Sequence, residues 1–186
     1  MATVDRQASL LTAEEFAKRP DSGMAEELVR GVVVMPPPPG FRHGFVCARL
    51  AKLLAIHVDD NDLGRVLGND AGVVTERGPD TVRGPDVSYY SYARVPKGRE
   101  PVGYAATPPD LACEVISPSD RWKDVMEKVG EYLKAGVLAV VVLDPDKRTA
   151  HVVQVDRPPV ALGPDDVLRL EPILPGFEVV VGQLFA

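Results

Sequence analysis

The sequence predicts an α/β fold, a mixed β-sheet flanked by α-helices. Three observations carry that expectation. Between Asp110 and Asp144, "DLACEVIS", an amphipathic segment and "GVLAVVVLD" follow one another. That is the strand–helix–strand order of a βαβ unit, which implies parallel strands. "GVLAVVVLD" is an unbroken apolar run, as expected of a strand covered on both faces. Hairpin-like segments lie before and after this unit, so the sheet is expected to be mixed.

Taken in order, residues 1–10 read as a loose, flexible arm. Thr12 to Glu15 is T-x-x-E, a capping box, and predicts a short helix over Thr12 to Arg19 that Pro20 and Gly23 end. "EELVRGVVVM" predicts two short strands joined at Arg30-Gly31, and "PPPPG" a stiff extended connector. "FRHGFVCARLAKLLAIHV" is a helix whose Val46, Leu50, Leu53 and Leu54 form a buried stripe, extended by His43 and Cys47. "GRVLG", "AGVVTE" and "GPDVSYYS" read as β, and residues 93–109 as a surface loop rich in Pro, Gly and charge. After the "DLACEVIS" strand comes a helix from Ser119, its expected cap, to Ala135. Trp122, Val125, Met126, Val129, Tyr132 and Leu133 share its apolar arc. Lys123, Asp124, Glu127, Glu131 and Lys134 share the solvated one. A turn at Asp144 to Arg148 leads into "TAHVVQV", and "DVLRL" and "FEVVVGQLF" close the chain. The 186 residues suit one domain over 1–186.

Composition narrows the function classes. The chain is 45% hydrophobic and 26% charged with a net charge of −6, so no global basic field draws it to nucleic acid or membrane. A nucleic-acid site must then be a local patch. Cys47 and Cys113 stand far apart in apolar stretches, which reads as reduced, buried and cytoplasmic. Nothing resembles a signal peptide, an anchor or a membrane span. No phosphate-binding Gly-rich loop, G-x-S-x-G, H-E-x-x-H or C-x-x-C occurs.

The chemistry-bearing residues are acidic positions set into strands: Glu27 before "LV", Asp86 before "VSYY" and Glu114 inside "LACEVIS". Converging carboxylates repel one another unless a divalent cation neutralises them, and oxygen ligands favour Mg²⁺ or Mn²⁺ over zinc. Lys128 lies only about 40° from Tyr132 on the helical wheel, where its stem can follow the core and its ammonium turn toward Glu114. His43, inward at a helix start, can ligate a metal or bond a carboxylate. Each has a plainer reading: a turn residue for Asp86, a hairpin cap for Glu27, a core residue for His43, a surface lysine for Lys128 and an inter-strand salt bridge for Glu114.

The blocks "LTAEEFAKRP", "EELVRGVVVMPPPPGFRH", "VRGPDVSYY", "PPDLACEVISPSDRWKDVMEKVGEYLKAGV" and "LDPDKRTAHVV" resemble, in order and spacing, the Uma2 family of restriction-endonuclease-like proteins. That family looks like a branch of the PD-(D/E)XK nuclease superfamily. The resemblance implies a restriction-endonuclease-like mixed sheet flanked by helices. Asp86 then matches the first metal-binding aspartate and Glu114 the acidic residue of (D/E)-x-K. Ile116 stands where the superfamily lysine falls, and Lys128 matches a lysine moved to the following helix. Glu27 and His43 match the family's early glutamate and its histidine. An aromatic pair usual before "LDP" is replaced by "AVVV".

The resemblance implies a Mg²⁺- or Mn²⁺-dependent DNA endonuclease, working as a homodimer. Asp86, Glu114 and the Val115 carbonyl would hold the metal, with His43 as a further ligand or orienter. Lys128 would act on water or phosphate, and Glu27 would complete the acidic cluster or fix Lys128. Arg42, Arg83, Arg94, Lys97 and Arg99 would supply DNA backbone contacts. Two alternatives stand beside this. One is a non-catalytic nuclease-fold module with a binding or regulatory role in mobile elements. The other is a hydrolase of smaller phosphoesters.

Overall fold

The computed structural model describes residues 10–20 and 22–186. The expected arm at residues 1–9 lies outside them. In chain order the elements are α1 (Ala13–Ala17), β1 (Glu27–Val29), β2 (Val32–Val34), α2 (Phe41–Asp60), β3 (Gly64–Gly68), β4 (Val73–Glu76), β5 (Thr81–Arg83) and β6 (Val87–Ser91). There follow β7 (Leu111–Val115), α3 (Trp122–Ala135), β8 (Ala139–Asp144), β9 (Thr149–Gln154), β10 (Val160–Leu162), β11 (Val167–Arg169), β12 (Glu178–Val180) and a 3₁₀ turn at Val181–Phe185.

The strands form three sheets where the sequence suggested one. The central sheet is six-stranded, ordered β10-β9-β8-β7-β6-β3. A four-stranded sheet, β2-β1-β5-β4, and a β11-β12 pair stand beside it. Among the described residues only β7 and β8 pair in parallel, the βαβ unit read from the sequence. β5 and β10 have three residues each, too short to leave a two-residue periodicity in the sequence.

Alternation along the strands sorts side chains to the two faces of the central sheet. Leu111, Cys113 and Val115 pack with Val141 and Leu143 against Val46, Leu50, Leu54 and Val58 of α2. Ala112, Val140 and Val142 pack against Val125, Val129 and Tyr132 of α3. Glu114, in step with Ala112, therefore faces α3. The smaller sheet behaves alike: Leu28 and Val82 bury against Ala13 and Phe16, which turns the neighbouring Glu27 and Arg83 the other way, toward α3.

The β1–β2 turn needs its glycine. Arg30 and Gly31 both have positive φ, 50° and 79°, the geometry of a two-residue hairpin whose twist matches the strands. A Cβ on Gly31 would also meet that of Leu10 at 2.5 Å.

Two expectations for α3 are corrected. Arg121, not Ser119, is the N-cap residue. Ser117 to Asp120 instead form a turn closed by the Ser117 amide on the Asp120 carboxylate. Trp122, the first residue of the helix, is 44% exposed and lies against the His151 ring rather than in the core. No helix among the described residues is long and apolar enough to cross a membrane.

Candidate active site

The central sheet sets Asp86 and Glu114 side by side. β6 and β7 are antiparallel with Val87 opposite Cys113, so one step further on Asp86 faces Glu114. The Asp86 carboxylate closes that end of the ladder by accepting the Val115 amide at 2.7 Å. Its other oxygen lies 3.3 Å from His43 Nε2, at the start of α2.

Glu114 is buried on the α3 face. The Tyr132 hydroxyl donates to its Oε1 at 2.7 Å, and Lys128 Nζ stands 3.7 Å from its Oε2. Lys128 and Tyr132 are one helical turn apart, so one face of α3 serves a single carboxylate. Lys128 has a closer partner: it donates to Glu27 Oε1 at 2.9 Å. Glu27 also accepts from Arg83 Nη1 at 2.9 Å and from the Gly84 amide at 3.3 Å.

The electrostatics follow from this packing. Burial pushes Glu114 up to about 7, reinforced by Asp86 and only partly opposed by Lys128 and the Tyr132 hydrogen bond. Burial alone would raise Glu27 as well, but Lys128 and Arg83 outweigh it and hold its carboxyl below the usual range. Burial works against the Lys128 charge, yet Glu114 and Glu27 raise its pKa above the ordinary lysine value. The hydrogen bond to Asp86 raises His43 against the opposing effect of burial.

These groups line one cleft of about 430 Å³ at the C-terminal end of β7, walled by Pro36 to Gly40 and by Ser117 to Asp120. The sequence reading missed three of the side chains in and beside it. Asp70 lines the cleft, its carboxyl raised by burial and by Asp86 and Glu27. Asn69 and Asp70 both have positive φ, 58° and 54°, which Asn and Asp tolerate best after glycine. "GND" therefore reads as ordinary turn chemistry. Gly84 makes the approach possible, because a Cβ there would meet that of Asp70 at 2.7 Å. Tyr132 was read only as core, and Cys47 only as part of a buried stripe.

The five cations expected to contact DNA sit in different surroundings. Arg83 is 11% exposed and engaged by Glu27 and by both oxygens of Glu131, at 2.6 and 2.9 Å. Glu131 thereby leaves the solvated arc assigned to it. Arg94 pairs with Asp110 and donates to the carbonyls of Pro108, Pro109 and Gly136. Asp110 precedes β7, at the end away from Glu114, roughly 13 Å along the strand. Lys97 pairs with Asp62 and lies over the Tyr92 ring, beyond the far end of β6 from Asp86, and exposed Arg99 follows in that loop. Arg42 and Arg83 are the two of the five that adjoin the cleft, Arg83 through Glu27 and Gly84. Arg42 is next to His43, with Nε and Nη2 donating to the Pro145 carbonyl.

The donor set fits a hard divalent cation. Carboxylates of Asp86, Glu114 and Asp70 line one cleft, and burial first, with the neighbouring carboxylates second, raises the proton affinities of Glu114 and Asp70. One consequence concerns stability. A carboxyl whose proton affinity rises on folding contributes stability that is complete below its unfolded value and lost as pH climbs through the folded one. For Glu114 that window runs from 4.5 to about 7. In EDTA, Glu114→Gln is expected to melt higher than the native protein at about pH 8, by up to about 3 kcal/mol, with the difference gone near about pH 4. A sharp drop in melting temperature at about pH 8 would instead make Glu114 a structural ion-pair partner.

Comparison with known proteins bears on the fold and the family. A crystal structure of a "putative nuclease belonging to DUF820" from Anabaena variabilis ATCC 29413 superposes with a TM-score of 0.81 at 21% identity, covering 94% of this chain and 97% of that one. The likeness establishes the fold, a mixed sheet flanked by helices. No curated protein matches the chain. The family model described as "Putative restriction endonuclease" matches residues 13–182, and the chain belongs to that family, Uma2.

Proposed function

We propose that the protein is a Mg²⁺- or Mn²⁺-dependent endonuclease that hydrolyses DNA phosphodiester bonds. The observation that carries this reading is the meeting of Asp86, Glu114 and Lys128 in one cleft, the carboxylates on neighbouring strand ends and the lysine on the helix packed over them.

Asp86, Glu114 and the Val115 carbonyl would hold the cation, with Asp70 within the same cleft. Bound there, such a cation supplies an activated water and neutralises charge on the phosphate oxygens. The protein's own residues do the rest. Tyr132 fixes Glu114 by its hydroxyl, and the Val115 amide fixes Asp86, so both carboxylates are oriented before any ligand arrives. Glu27, itself clamped by Arg83, holds Lys128 at the cleft wall. From there the ammonium can orient the attacking water or meet the charge that builds on the scissile phosphate. His43 bonds Asp86 and limits its rotation.

The cleft is acidic, so metal must precede DNA. Backbone contacts fall to Arg42 and to Arg121, which follows Asp120 at the rim and is exposed. The reading includes a homodimer that presents two sites to two strands; sedimentation showing only monomer at micromolar concentration removes that part.

Purified protein is expected to nick or cut DNA with Mn²⁺ or Mg²⁺ and to stop in EDTA. Binding should weaken steeply with salt as phosphate contacts release counterions. DNA bound but never cut under any metal would replace this reading with the binding module.

A further inference from the structure

The first turns of α2 hold two donors, His43 and Cys47, that the hard-cation site does not use, and set them beside Asp86. His43 and Cys47 are one helical turn apart and point the same way, with Cys47 Sγ 3.4 Å from His43 Nδ1. His43 Nε2 is 3.3 Å from Asp86 Oδ1. One nitrogen, the sulfur and one carboxylate oxygen all lie within 4.8 Å of one another.

We infer that His43, Cys47 and Asp86 form a binding site for a borderline-soft divalent cation, zinc above all, which overlaps the proposed hard-cation site through Asp86.

The chemistry selects the metal. Thiolate and imidazole suit zinc and suit Mg²⁺ poorly. Zinc takes sulfur at about 2.3 Å and nitrogen or oxygen at about 2.0–2.2 Å, which puts the donors of a tetrahedral site about 3.3–3.8 Å apart. The 3.4 Å contact is to Nδ1 and the 3.3 Å contact to Nε2; zinc takes one ring nitrogen, so the donors must close in by side-chain rotation from the 4.8 Å within which one nitrogen, the sulfur and one oxygen already lie. Three protein donors leave the fourth position to water. Zinc binds cysteine as the thiolate, so binding releases a proton and strengthens as pH rises.

The consequence is competition. The Asp86 oxygen that faces His43 is the one not engaged by the Val115 amide. Zinc on that oxygen draws Asp86 away from Glu114, and the hard cation loses a ligand. Zinc would then hold the protein in an inactive state. That last step rests on the function proposed above; the zinc site itself does not.

The test uses the metal-free full chain and Co²⁺ as a spectroscopic stand-in for zinc. Native protein is expected to bind one equivalent of Co²⁺ with tetrahedral visible bands and a thiolate charge-transfer band in the near ultraviolet. Zinc should displace it. Cys47→Ser and Cys47→Ala should each lose the charge-transfer band and bind zinc at least about 100-fold more weakly, since even loss of an outer supporting group costs 10–100-fold. Glu114→Gln should keep the band. Absence of the band in native protein, or unchanged zinc affinity in a folded Cys47 variant, overturns the site. Free Mn²⁺, counted by electron paramagnetic resonance, separates the two readings. Mn²⁺ released by zinc supports the overlap, and Mn²⁺ bound together with zinc overturns it. If zinc-free protein binds no Mn²⁺, the hard-cation reading fails while the cobalt spectrum still decides the zinc site.

Discussion

Lys128→Ala is expected to lower turnover about 100- to 1,000-fold, the usual effect of deleting one donor aimed at developing charge, without weakening Mn²⁺. The reason is the position of Lys128. Its ammonium stands 3.7 Å from Glu114 Oε2 and 2.9 Å from Glu27 Oε1. Removing it takes a positive charge away from a cation site, so metal affinity should hold or rise. Asp86→Ala gives the opposite pattern, losing metal and cleavage together. Single-turnover cleavage at saturating Mn²⁺, read beside Mn²⁺ affinity, distinguishes the two. If Lys128→Ala cuts DNA at the native rate, the lysine is a structural partner of Glu27 and nothing more.

Glu27→Ala is expected to be the most destabilising single change in the cleft. The side chain takes three donors from the end of β5, the residue after it and α3: Arg83, the Gly84 amide and Lys128. Its loss leaves two part-buried cations undercompensated. Breaking such a pair costs about 3–5 kcal/mol. Arg83 keeps both oxygens of Glu131, which argues for the lower end. About 3 kcal/mol corresponds to a fall of roughly 6–12 °C in a domain of this size. The pH dependence has a definite sign. Glu27 titrates below its ordinary value of 4.5 in the folded protein, so its contribution is present above that pH and disappears as pH falls through the depressed folded value. The gap between native and variant melting curves should close in acid. A change of only a degree or two at neutral pH would make the network a surface ornament.

The sequence made the βαβ unit legible because its signals are long: an unbroken apolar strand and a 14-residue helix with one apolar arc. It made Glu114 legible because a carboxylate inside a strand core requires a partner. Separation into three sheets was hidden, since β5 and β10 are too short to show a period. The roles of Arg83 and Arg94 were hidden for another reason. An arginine in a polar stretch looks the same whether it faces DNA or an internal carboxylate, and only strand alternation beside Val82 turns Arg83 toward Glu131. Asp70 was concealed by turn composition, and Cys47 by the apolar helix that carries it. The neighbours that decide those two, Gly84 and Asp86, are far along the chain.

The most direct test is a crystal grown metal-free and soaked in Mn²⁺, with anomalous scattering used to place the ion. The expected result is one peak in the cleft, bound by Asp86, Glu114 and the Val115 carbonyl, with Lys128 turned toward it. A cleft without Mn²⁺ at saturating concentration, with Asp86 still on His43 and Glu114 still on Tyr132, would contradict the metal-dependent site at its root.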